Sequence, residues 1–220
     1  MQIKILQNVL KANDAKAAEV RALLQQKKIC MLNLISSPGA GKTTLLEKSL
    51  PLLTKKYRVA VIEGDVETAR DAERLEGYNV PIALINTSGA CHLESVSIEK
   101  AFSVLDLDNL DLIFVENVGN LVCPAEFDIG EDAKVALLST PEGDDKPSKY
   151  PLLFREAKLA ILNKIDLMPY VGFNKDNFYA DLAKLNASLP VIEMSCQNGT
   201  GMDKWLDWLG EMISKKIHHS

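Results

Sequence analysis

A chain of 220 residues has the size of one α/β domain or slightly more, enough to bury a full core. Its net charge of −5, with no Lys/Arg block beyond pairs such as Lys27-Lys28 and Lys215-Lys216, excludes a nucleic-acid surface as its main business. No apolar run approaches the roughly 20 residues of a membrane helix, Met1–Leu10 lacks the pattern of a signal peptide, and Cys30, Cys91, Cys123 and Cys196 show no Cys-x-x-Cys pairing; a cytoplasmic protein with reduced thiols is expected, with no membrane or nucleic-acid partner.

Taken in chain order, the first predicted helix covers about Asn13 to Lys27, with Asn13 or Asp14 as its cap and Ala17, Val20, Leu23 and Leu24 on one face. Strands follow at Ile29–Ile35, Arg58–Ile62, Ile82–Asn86, Leu112–Val115, Ala133–Ser139, Leu159–Leu162 and Val191–Met194. Helices fall between them at Thr44–Thr54, Thr68–Glu76, Leu93–Leu105 and Lys175–Asn186, and Met202–Lys215 closes the series. Short apolar strands alternating with helices predict an α/β fold, a mostly parallel sheet with helices on both faces. Trp205, Leu206, Trp208, Leu209 and Ile213 read as core packing of the last helix, and Pro141–Tyr150 as a polar loop. No linker or repeat appears, so residues 1–220 are expected to form a single domain, with 1–28 a helical extension packed on it.

Ser36-Ser37-Pro38-Gly39-Ala40-Gly41-Lys42-Thr43-Thr44 stands between the first strand and a helix. That order suits a phosphate cradle, and with it the fold reads as a P-loop NTPase. Backbone N–H groups over Gly39, Ala40, Gly41 and Thr44 point inward, Lys42 supplies charge, and the Thr43 hydroxyl reaches a Mg2+ ion. Ser36 departs from the common pattern, which has glycine at that letter.

Asn163-Lys164-Ile165-Asp166 directly follows a strand and selects guanine over adenine. The Asp166 carboxylate can accept from guanine N1–H and the 2-amino group together, Asn163 can address N7, and the Lys164 stem can lie on the base plane. Ser195 and Cys196 sit where a backbone N–H meets the guanine carbonyl. The substrate is therefore GTP. Asp65 and Glu116 follow strands that end at the same edge as the loop, which makes them candidates for the Mg2+ shell or for orienting water. Gly119 is placed to donate its N–H to the γ-phosphate. Lys42, Asp65, Glu116 and Gly119 form the expected catalytic set.

Cys91, His92 and Cys123 emerge at that same edge. Two thiols and an imidazole suit Zn2+, Ni2+ or Cu+, not Mg2+. On the residues alone, unrelated buried thiols beside a helix-start histidine remain the simpler reading. The runs Ser36–Leu46, Glu63-Gly64-Asp65-Val66-Glu67-Thr68, Gly89-Ala90-Cys91-His92-Leu93 and Glu116-Asn117-Val118-Gly119-Asn120-Leu121-Val122-Cys123-Pro124 resemble the HypB family, GTPases that assist nickel insertion into [NiFe]-hydrogenase. The resemblance spans nearly the whole chain and accounts for Ser36, a common letter there in that family. It implies that Cys91, His92 and Cys123 bind Ni2+ or Zn2+ near the interface of a GTP-favoured homodimer. It also implies the HypA metallochaperone and a hydrogenase large-subunit precursor as partners. Met1–Lys28 carries neither the cysteine-rich nor the histidine-rich motif of some relatives, and His218-His219 reads as a solvated tail. A maturation factor for another nickel enzyme, such as the urease accessory protein UreG, and a regulatory switch with structural cysteines are the competing readings.

Overall fold

The computed structural model describes the backbone of residues 2–65 and 70–218 and the side chains of 10–64 and 73–218. All seven expected strands form: β1 (Cys30–Ser36), β2 (Val59–Asp65), β3 (Ile82–Asn86), β4 (Leu112–Glu116), β5 (Ala133–Ser139), β6 (Leu159–Asn163) and β7 (Val191–Glu193). They make one parallel sheet in the order β3-β2-β4-β1-β5-β6-β7. The helices among the described residues are α1 (Gln2–Lys27), α2 (Lys42–Leu53), α3 (Arg70–Leu75), α4 (Ser95–Phe102), α5 (Cys123–Glu126), α6 (Lys146–Lys149), α7 (Pro151–Glu156), α8 (Lys175–Leu185) and α9 (Met202–His218).

Successive β1 side chains point to opposite faces and bury against different helices. Leu32 and Leu34 join Leu45, Leu46 and Leu50 of α2 and Trp205 and Leu209 of α9 in one core layer. Met31 faces Val20 and Leu24 of α1 and Ile98 and Phe102 of α4. Beyond Ile35, the same face continues with Phe154 of α7 and Phe178 and Leu182 of α8. Trp205 is fully buried and its indole N–H donates to Ser49 Oγ (2.9 Å), so it packs as core.

Several boundaries differ from expectation, each for a local reason. Asn13 caps nothing at the start of α1; it lies inside that longer helix, buried. Its side chain accepts from the Ser95 backbone N–H (3.0 Å) and donates to the Asp128 carbonyl (2.7 Å), so it starts α4 instead. β2 runs through Glu63 and Gly64 to Asp65, because pairing with β3 holds the polar residues in the ladder. α2 begins at Lys42, two residues early, as Gly41 turns the chain at φ 110°. The predicted loop Pro141–Tyr150 is largely helical: Ser139 and Glu142 bond reciprocally around a short 3-10 turn, and α6 follows. The first two residues of the predicted helix Thr68–Glu76 lie outside the described residues, as does His219.

Candidate nucleotide and metal site

β1 lies between β4 and β5, so the loop after it opens at the point where the strand order departs in both directions, the usual ligand crevice of such sheets. A cavity of about 480 Å³ occupies this crevice, lined by Gly39, Gly41, Lys42, Thr43, Thr44, Glu63, Arg74, Glu116, Gly119 and Lys164, among others. Lys42 is buried and its ammonium donates to Ser36 Oγ (2.9 Å). Ser36 thus has a use that glycine lacks at that letter, as an acceptor that holds the lysine. Thr43 Oγ1 donates to Glu116 Oε1 at 2.8 Å, both residues being buried. These are hard oxygen donors side by side, of the kind Mg2+ takes.

Glu63 was not among the expected site residues, yet it is buried and lines this cavity. It pairs in register with Glu116 across β2 and β4, so the two carboxylates share a face of the sheet. The period-two step back from Asp65 was the available signal. Asp65 ends β2 two positions further toward the crevice, opposite Asn86; its side chain lies outside the described residues.

A second cavity of about 370 Å³ adjoins the first and shares Gly41, Thr44 and Lys164 with it. Asn163, Asp166, Leu167, Cys196 and Gln197 complete it. Asp166 has one buried carboxylate oxygen with no protein partner, an acceptor left for a ligand. Lys164 takes the left-handed conformation at φ 58° and donates to the Gly39 carbonyl (2.6 Å), which lays its stem between the two cavities. Asn163 has a different arrangement from the one expected. Its amide donates to the Ala40 carbonyl (3.0 Å) and accepts from the Cys196 N–H (3.2 Å), so it braces the glycine loop against the loop after β7. The Ser195 N–H is likewise engaged, by the Thr200 carbonyl (3.0 Å). Burial pushes the Cys196 thiol up to about 11 and the Cys30 thiol up to about 12, which leaves both as unreactive packing groups.

The segment after Glu116 connects this crevice to the cysteines. Gly119 lies against the glycine loop so closely that a Cβ there would sit 2.7 Å from Pro38 Cγ. Four residues on, Cys123 Sγ is 2.9 Å from Cys91 Sγ, and the Cys91, His92 and Cys123 donor atoms all lie within 4.8 Å of one another. Tetrahedral bonds of about 2.3 Å to two sulfurs would hold them roughly 3.8 Å apart, so a metal ion needs less than 1 Å of adjustment. The hydrogen bond to Cys123, then burial, holds the Cys91 thiol above its ordinary value, while burial holds His92 below its own. His92 packs against Phe127 with centroids 3.8 Å apart and the rings tilted by 32°, and its Nε2 lies 3.7 Å from Glu94. Asn120 and Asn117 fix the geometry: Asn120 donates to the Cys91 carbonyl, and Asn117 accepts from the Val118 N–H. A Cβ on Gly64 would meet Leu93 at 2.8 Å, so this glycine lets the turn behind His92 close on β2.

A parallel sheet with a Gly-Lys-Thr loop at its switch point and an Asn-Lys-x-Asp turn after β6 defines a P-loop nucleotide-binding protein. The CobW/HypB/UreG nucleotide-binding domain family matches residues 30–193. The chain belongs to the HypB hydrogenase maturation factors. It is 46% identical to "Hydrogenase maturation factor HypB" of Azotobacter chroococcum mcd 1, over 94% of this chain and 68% of that protein. With "Hydrogenase/urease maturation factor HypB" of Helicobacter hepaticus it shares 44% identity, over 99% of this chain and 91% of the relative. The crystal structure of HypB from Helicobacter pylori in complex with nickel superimposes with a TM-score of 0.88 at 39% identity, covering 94% of this chain and 96% of the other.

Proposed function

We propose that the protein is a GTP-hydrolysing metallochaperone that binds nickel and assists its insertion into [NiFe]-hydrogenase during maturation. The observation that carries this reading is a physical connection. One segment, from Glu116 to Cys123, lines the larger cavity at its start and brings a thiol into the Cys91, His92 and Cys123 cluster at its end. In this reading GTP places its base at Asp166 and its phosphates along Gly39–Thr44, with Lys42 on the distal phosphates. Mg2+, held by Thr43 with Asp65 and Glu116, supplies charge to the γ-phosphate. Gly119 donates its N–H to that same phosphate. Loss of the γ-phosphate then alters the path from Gly119 to Cys123, and with it the hold on Ni2+ at Cys91, His92 and Cys123. Zn2+ competes for the same ligand set.

Such coupling is linkage and runs both ways. GTP favours a homodimer with the metal site near its interface. HypA and the hydrogenase large-subunit precursor are the partners, in the cytoplasm. The name of the Helicobacter hepaticus relative adds urease as a second client class. The direct test is Ni2+ affinity with GTP and with GDP, paired with a Cys123→Ser variant. The reading expects nucleotide-dependent affinity, and a variant that loses Ni2+ but keeps GTP. Equal Ni2+ affinity in both nucleotide states, with hydrolysis indifferent to Ni2+, overturns it.

A further inference from the structure

Arg74 is a cation of the phosphate cavity that neither the glycine loop nor the Asn-Lys-x-Asp turn supplies. It belongs to α3, lines that cavity, and does not line the base cavity. Its Nη2 donates to Thr44 Oγ1 at 3.2 Å. Glu47, on the next turn of α2, receives Nε at 3.0 Å and Nη2 at 2.7 Å. The exposed ion pair with Glu47 gives by itself only a slight structural reason for this placement, since such pairs contribute little to stability. Position gives a better one. Thr44 is shared by the two cavities, so it marks where the phosphate nearest the base must lie. Lys42 and Gly119 line only the larger cavity, away from that junction. A bidentate carboxylate fixes the guanidinium plane, and a fixed plane with several N–H donors is well suited to a phosphate.

We propose that Arg74 is a nucleotide-binding residue whose guanidinium pairs with the base-proximal phosphate, next to Thr44. Glu47 positions it there before the ligand arrives. The inference rests on the nucleotide reading above and adds a phosphate ligand from outside the glycine loop. It also places a phosphate contact nine residues beyond the end of β2.

The test is a ligand series of guanosine, GMP, GDP and GTP, each competed against fluorescent GDP on the full chain with Mg2+ present. Arg74→Ala is expected to weaken GMP, GDP and GTP by the same factor, about 10- to 100-fold, as for loss of charge-assisted hydrogen bonds. Guanosine, which has no phosphate, is expected to bind unchanged and serves as the folding control. If Arg74→Ala does not fold, Arg74→Lys carries the same comparison with a smaller loss. Equal loss for guanosine would make Arg74 a packing residue between α3 and α2 and overturn the proposal. Loss confined to GTP, or no loss, overturns it as well. Failure of the unsubstituted protein to bind any of the four removes the nucleotide reading itself.

Discussion

The Asn120 side chain donates to the Cys91 carbonyl at 3.1 Å and accepts from the Val122 N–H at 2.9 Å. It clips the turn that carries Cys91 and His92 to the segment that ends in Cys123, although 29 residues separate Asn120 from Cys91. Neither contact touches the phosphate cavity. Asn120→Ala should therefore weaken Ni2+ binding about 3- to 10-fold, as for one or two ordinary hydrogen bonds, and leave GTP affinity unchanged. Competition against a chelator reads the first quantity and nucleotide titration the second. Unaltered Ni2+ affinity would mean that Phe127 and the backbone hold the cluster without this clip.

The protonation states set a pH dependence. Cys91 is held above its ordinary value by Cys123, so at pH 7 its thiol carries a proton that a metal must displace. His92 is held below its ordinary value by burial, so above about pH 6.5 its imidazole is already neutral and offers no proton competition. Ni2+ affinity should rise steadily from pH 6.5 to pH 8.5, with proton release from Cys91 and none from His92. Calorimetry in buffers of different ionisation enthalpy counts the released protons. Affinity that is flat with pH would exclude thiolate ligation.

The order of strands and the glycine loop were legible because each has a local cause. Buried parallel strands read as apolar runs, and Gly41 at φ 110° stands where α2 must start. Cys91 and Cys123 were legible as chemistry and as residues at one sheet edge, but their direct contact was not. Their approach depends on Gly64 admitting Leu93 and on Asn120 crossing between segments, and neither contact leaves a periodic trace. Asn13 was misread for the same reason. Its letter suits a helix cap, and it does cap a helix, though one 82 residues away. Glu63 opens the run Glu63–Thr68 but went unmarked as a site residue because strand register beside Glu116 is what brings it to the cavity; Arg74 went unmarked because helix packing brings it there and no motif contains it. α7 was missed because its six residues are too few to show a period.

Asn163 offers a test of what that letter does. Its buried amide satisfies the Ala40 carbonyl and the Cys196 N–H. A Cβ on Gly41 would sit only 2.5 Å from it. Removing the side chain strands two buried backbone groups, so Asn163→Ala should lower the stability of nucleotide-free protein by about 2–4 kcal/mol. GTP affinity should fall with it, because the glycine loop loses its brace. Urea denaturation without nucleotide separates this from a role confined to the base. Unchanged stability with weakened GTP binding would return Asn163 to the base itself.

Asp166 tests the choice of base. Its unpartnered carboxylate oxygen lines the base cavity, and guanine presents two donors that a carboxylate accepts together. Asp166→Asn turns one acceptor into a donor of the same size. Facing the guanine 2-amino group, that donor is left without a partner, and affinity for GTP should drop about 100-fold or more. Xanthine carries a carbonyl where guanine has the amino group, so XTP should bind the variant better than GTP does. The unsubstituted protein should show the reverse order. Competition of both nucleotides against both proteins completes the square. If GTP keeps its advantage in Asp166→Asn, another group reads the base, and the guanine assignment no longer rests on this residue.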